Sequence, residues 1–108
     1  MRSMSDIDYF ENTRLLRLSS GDYSIAIKTN DGLYLDAIGA SFYYDENEQN
    51  YAYTLRPFFY PFNYSRVNIE SRHVVAEARP HDALITSYVE LVAGLEDESN
   101  NAQQVEVH

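Results

Sequence analysis

The chain of 108 residues contains no cysteine, which excludes a disulfide framework, a thiolate zinc site and a cysteine nucleophile, and permits a reducing compartment. It has no apolar run long enough to cross a bilayer, so no membrane partner is expected. Its opening residues, MRSMSDIDYF, carry Asp6 and Asp8 and lack the continuous apolar core of a secretory leader. Export is therefore not expected, and the sequence predicts a soluble cytoplasmic protein. No glycine-rich phosphate cradle, nucleophile elbow or paired-histidine metal motif occurs. Neither catalysis, a metal nor a cofactor is expected.

Positive charge is also scarce. Eight Lys and Arg stand against 17 Asp and Glu, for a net charge of -9. The excess is concentrated at the ends, where Asp6, Asp8, Glu11, Glu96, Asp97, Glu98 and Glu106 face only Arg2. The ends thus hold -6 and residues 12–94 only -3. The basic residues of that body are six Arg and one Lys, and Arg suits forked contacts to phosphate or carboxylate and stacking on bases.

What is present reads as one small β domain with one core. Residues 14–19 and 23–29 alternate as strands around Ser20-Gly21-Asp22, with Tyr23, Ile25 and Ile27 on one face and Ser24, Ala26 and Lys28 on the other, a half-buried pattern. Asn30-Asp31-Gly32 is a strong hairpin signal. Leu33, Leu35 and Ala37 continue a core face, and Gly39 marks a bulge or bend in a long third strand. Residues 45–50 form a polar hairpin loop; Asp45, Glu46 and Glu48 lack the spacing and glycine of a calcium loop, so they read as solvated. A fourth strand covers 51–56, where Pro57 confines its far end to an edge or bulge, and a fifth lies within 67–79. After Pro80, Leu84, Ile85, Tyr88, Leu91 and Val92 fall at helical spacing, with Asp82 in the first turn and Gly94 as the stop. A helix over 81–94 is predicted, between an N-terminal arm at 1–11 and a disordered acidic tail at 95–108.

Ten of the 15 aromatic residues lie between Phe42 and Tyr64. Alternating rings with nearby Arg suit base stacking, yet strand cores and subunit interfaces use the same residues and are the preferred reading. Tyr64 and Arg66 are the exceptions, because they fall in a loop. His73, beside Arg72 at the start of an apolar strand, fits either an edge position or a ligand contact near neutral pH. His81 and Asp82 are read as a helix start and not as a catalytic or metal pair.

The series RLSSGDYSIAIKTNDG, YTLRPFFYPF, SRHVVAEARP and DALITSYVELV resembles the Sm-like (LSm) family, specifically the small Sm-like proteins of marine and other tailed phages, over residues 14–94. The resemblance implies a strongly bent five-stranded antiparallel sheet, a partly open barrel, with a C-terminal helix. It further implies a homo-oligomeric ring, pentamer to heptamer, in which the fourth strand of one subunit pairs with the fifth of the next. The interface would then include Tyr51, Tyr53, Leu55, Phe58 and Phe59 on one side, and Val74, Val75 and Ala76 on the other. Single-stranded RNA would be held by the loop at Asn30 and Asp31 and by either Asn63 to Arg66 or Ser71 to His73, with Tyr64, Arg66, Arg72 and His73 as the candidate contacts. The Asp-x-x-Met-Asn and Arg-Gly signatures of the family's two motifs are absent, and the helix follows the strands, as in the phage-type members. A phage-encoded chain would act in the host cytoplasm. The charge of -9 supports a second reading, an acidic module that binds a basic protein surface, as a virion component or an inhibitor, without nucleic acid.

Overall fold

The computed structural model describes residues 10–105, and the side chains of residues 10–95. Of the expected arm, residues 1–9 lie outside the described residues and 10–12 are helical. The body is mainly β: β1 (Thr13–Leu18), β2 (Tyr23–Lys28), β3 (Leu33–Asp45), β4 (Asn50–Arg56), β5 (Val67–Glu70) and β6 (Val74–Ala78), followed by one long helix, α1 (Asp82–Val105). All pairings are antiparallel, in the order β4-β3-β2-β1-β6, with β5 on the N-terminal half of β3. The sheet is strongly bent into a partly open barrel that does not close.

The hairpins form where the sequence places them. Gly21 at φ 95° and Gly32 at φ 81° occupy the left-handed region that a side chain disfavours. Leu18 and Asp22 close the first turn with a backbone bond of 2.9 Å. Gly32 ends the three-residue loop after Lys28 and Thr29, where a left-handed residue matches the twist of the flanking strands.

The bend comes from a position without a glycine. Ile25 and Ile27 of β2 face Ile38 and Leu35, so two steps on β2 oppose three on β3; the same excess recurs against β5, where Tyr34 pairs Ile69 and Ala37 pairs Val67. The extra residue is Asp36, at φ 55°. This bulge corrects two expectations. Gly39 is not the bulge, although a side chain there would meet the Arg56 carbonyl at 3.3 Å. Leu33, Leu35 and Ala37 do not share a face, because the added residue reverses the alternation: Leu35 and Ile38 point one way, Tyr34 and Ala37 the other.

Two cores follow. Ile25, Ile27, Ile38 and Ala40 pack under Leu84, Tyr88, Val92 and Leu95 of the helix, while Leu16, Ala26, Tyr34 and Ala37 fill the barrel interior. β2 is therefore buried on both faces, and the half-buried reading of its alternation is corrected: Ser24 and Ala26 are as inaccessible as Ile25. Ser24 is accommodated by donating its hydroxyl to the Ile38 carbonyl at 2.9 Å.

The fifth strand expected within 67–79 is broken in two by a 3₁₀ turn, Ser71–His73. The chain must leave β3 and cross to β1, and the polar run at 70–73 has little strand propensity to resist that corner. The Ser71 amide donates to the Gly32 carbonyl at 2.9 Å, and the Ser19 amide to the His73 carbonyl at 2.8 Å. The helix begins as expected, with the His81 carbonyl accepting from the Leu84 and Ile85 amides. It does not stop at Gly94: it continues to Val105, so through that residue the acidic segment is helical and not disordered. Leu95 is buried against the sheet, and its burial outweighs a helical glycine, which costs about 1 kcal/mol relative to alanine. Residues 106–108 lie outside the described residues. No helix among the described residues is long and apolar enough to cross a membrane.

A side chain on Gly94 would meet nothing within 4 Å. Gly94→Ala should therefore stabilise the fold by about 0.5–1 kcal/mol, read as a higher urea midpoint at unchanged slope. A destabilised variant would contradict an uninterrupted helix through this position.

Candidate functional site

Three strands keep an unpaired edge among the described residues: the two ends of the sheet path, β4 and β6, and β5, which pairs only with β3. β4 pairs only with β3, and β6 only with β1. Beyond the core, β3 and β4 continue as a projecting hairpin in which Phe42 faces Tyr53 and Tyr44 faces Tyr51. The alternation that points Leu55 into the helix-covered core puts these rings on the same face, with Tyr44 and Tyr51 in edge-to-face contact at 5.2 Å. Tyr53 reaches back to Ser87 through its hydroxyl at 2.6 Å. Tyr51 is 78% exposed and, on the opposite edge, Val75 is 62% exposed.

Not every residue assigned to an interface lies on a surface. Tyr51, Tyr53, Phe59, Val75 and Ala76 are exposed. Leu55 packs on the core beneath the helix, while Phe58 and Val74 pack on the barrel interior. Pro57 ends β4, and the segment from Phe58 to Asn63 folds into turns, closed by Tyr60 and Phe62 amides on the Pro57 and Phe59 carbonyls.

The six residues expected to touch RNA separate into two places. Asn30 and Asp31 lie in the β2–β3 turn, next to the corner that carries Arg72 and His73, joined by the Gly32–Ser71 backbone bond. Arg72 is an exposed guanidinium that pairs with Glu70 at 2.7 Å. Asp31 accepts from the Thr29 hydroxyl, which stiffens the turn. Tyr64 and Arg66 stand elsewhere: Tyr64 packs against the core beneath the helix and beside Tyr60, with ring centroids 5.8 Å apart. Arg66 is held against the bulge, its Nε 4.0 Å from Asp36 Oδ1. The acidic hairpin loop is a self-contained turn, with Asp45 Oδ1 accepting from the Asn47 amide at 3.0 Å.

A cluster that sequence reasoning missed spans four strands. Glu77 on β6 accepts from the Tyr34 hydroxyl of β3 and from Lys28 Nζ of β2 at 2.9 Å, with Arg14 Nε of β1 at 3.7 Å. Glu77 is the one acid within the strand sequence VVAEA, which was the available signal. Its partners are as many as 63 residues away in sequence, so only strand register could supply them. The Tyr34 hydrogen bond, then that from Lys28, holds the Glu77 carboxyl below its ordinary value. Burial, reinforced by the Glu77 charge, pushes the Tyr34 hydroxyl up to about 12.

The class defined by these features is a small, strongly bent, partly open β-barrel domain with unpaired, partly aromatic strand edges. No family model matches the chain, and no curated protein matches it.

The cluster sets two limits on stability. Glu77, lowered on folding, stabilises above its ordinary value of 4.5, and that contribution is lost as pH falls through its folded value. Tyr34, raised on folding, stabilises below 10.0 and loses that contribution as pH climbs toward about 12. In urea midpoints measured across pH, Glu77→Gln should flatten the acid limb and Tyr34→Phe the alkaline limb. Unchanged limbs would show that the cluster is not formed in solution.

Proposed function

We propose that the chain is a self-assembling, Sm-like subunit that acts by binding and not by catalysis. β4 of one copy pairs with β6 of the next, and the head-to-tail contact repeats until it closes a ring of five to seven subunits, the range the resemblance implies. The observation that carries this reading is the strand order: the sheet ends on β4 and β6, the two strands that the Sm-like resemblance pairs between neighbours. An unpaired edge leaves a row of backbone donors and acceptors open to any matching strand. A head-to-tail ring satisfies the β4 and β6 edges with one interface, and the exposed Tyr51, Tyr53, Val75 and Ala76 flank it.

Single-stranded RNA is the proposed ligand, held at the barrel end by Asn30, Asp31, Arg72 and His73. A ring would repeat this cluster once per subunit, so weak contacts would add through multivalency. Tyr64 and Arg66 are not part of that contact, since the core and Asp36 engage them. An acidic chain with so few cations fits modest, salt-sensitive binding in the cytoplasm.

Light scattering after size exclusion should give the mass of a closed ring. Tyr51→Lys and Val75→Lys should each give smaller particles with little change in subunit melting, because both side chains are mostly exposed within the subunit. Arg72→Ala should keep the ring mass and weaken binding of a short oligouridine at low salt. A monomer at every concentration would overturn the assembly; full oligouridine affinity in Arg72→Ala would overturn the RNA contact.

A further inference from the structure

On the face of the β3–β4 hairpin opposite the aromatic rings, the register collects a set of polar side chains that nothing else in the fold employs. Gly39 pairs with Arg56 and Ser41 with Thr54, so these four positions adjoin on one face. They line a concavity of about 500 Å³ together with Asp22, Tyr23 and Phe58, a size in the usual range for small-molecule sites. Gly39 has no side chain here, and the Phe58 ring packs over it, 3.7 Å from where one would begin.

Among the described residues, the side chains of Ser41 and Thr54 make no hydrogen bond, and Arg56 makes neither a hydrogen bond nor an ion pair. The guanidinium of Arg56 lies over the Tyr60 ring at 5.3 Å, on the rim this concavity shares with the adjoining hollow of Tyr60, Tyr64 and Leu91, a contact that leaves its donors open. A planar fork and two hydroxyls offer more donors than the two oxygens of a carboxylate need, and they suit the oxygens of a phosphate. Asp22, on the same lining, disfavours a bare dianion and favours a ligand whose anion is accompanied by a hydrogen-bond donor. Its carboxylate accepts from Ser20 at 2.8 Å and retains further acceptor capacity. Phe58 adds an apolar aromatic wall.

We propose that this concavity is a nucleotide site: the phosphate lies on Arg56, Ser41 and Thr54, a sugar hydroxyl or base amino group donates to Asp22, and the base lies against Phe58. The site belongs to the single subunit and does not require the ring. Its side chains lie on a face of the sheet, whereas the proposed pairing of β4 uses the backbone along its edge. The nucleotide is either free or one unit of a single strand, and only the second case rests on the RNA reading above.

The test is a titration of the full chain at low salt with uridine, inorganic phosphate, uridine and adenosine monophosphates, and a short oligouridine, followed by amide chemical shifts and by calorimetry. Nucleotides should shift the Gly39, Ser41 and Thr54 amides, while uridine and inorganic phosphate bind more weakly. Arg56→Ala, at an exposed position, should melt like the parent and lose about tenfold or more in affinity, the worth of a charge-assisted hydrogen bond. Shifts at these amides with mononucleotides mark a free-nucleotide site; shifts with oligouridine alone mark a strand contact. Absence of shifts at all three amides, equal binding of inorganic phosphate, or unchanged affinity in Arg56→Ala would overturn the site. None of these results alters the ring mass or the Arg72 dependence, so the two proposals fail separately.

Discussion

The fold depends on the residue that β3 holds in excess. Asp36 sits in the left-handed region, which a non-glycine residue adopts at an energetic cost, and three parts of the chain hold it there. The Tyr88 hydroxyl of the helix donates to its carbonyl at 2.6 Å, Asn68 of β5 accepts from its amide at 3.4 Å, and Arg66 stands near its carboxylate. Because the bulge exchanges inside for outside partway along one strand, β3 serves both cores. Its first half pairs with β5, its second with β4. A straight β3 could not supply both Tyr34 to the barrel interior and Ile38 to the helix-covered core while keeping its partners.

The same device accounts for the surface. β4 and β5 share one side of β3 without continuing into each other, and the chain between them loops out at 57–66. From β5 the chain turns through Ser71–His73 to reach β1, which makes β6 the far end of the sheet. The open edges, the Asn30 and Arg72 cluster and the Arg56 concavity are all consequences of how β3 divides its partners. A net charge of -9 works against nonspecific association of such edges by keeping stray copies apart. In the proposed assembly, pairing would then rely on matched strand register and on the exposed rings of β4.

The sequence made the local features legible. Asn30-Asp31-Gly32, the turn at Gly21 and the helical spacing from Leu84 to Val92 each depend on contacts within a few residues, and each lies where expected. The strand inventory was legible too, save for the break at Ser71–His73, where polar residues permit a corner but do not demand one. Asp36 carried no signal, since its conformation is imposed by Tyr88, Asn68 and Arg66 from afar. Gly94 gave the wrong one: a glycine marks a helix end unless the next residue has a surface to bury, and that surface is the sheet beneath Leu95. The candidate site suffered most. Residues near in sequence, such as Tyr64 and Arg66, were diverted to the core and the bulge, while the Tyr34–Glu77 cluster and the Arg56 concavity exist only through register.

The central claim is that the two ends of the sheet are complementary and pair between copies. Amide hydrogen exchange resolved by residue tests it most directly, comparing β4 and β6 with the internal β1–β2 ladder at high and low protein concentration. The account predicts that outward amides on β4 and β6 are protected at high concentration and exchange faster together on dilution. Fast exchange of those amides at every concentration, beside a protected β1–β2 ladder, would contradict it.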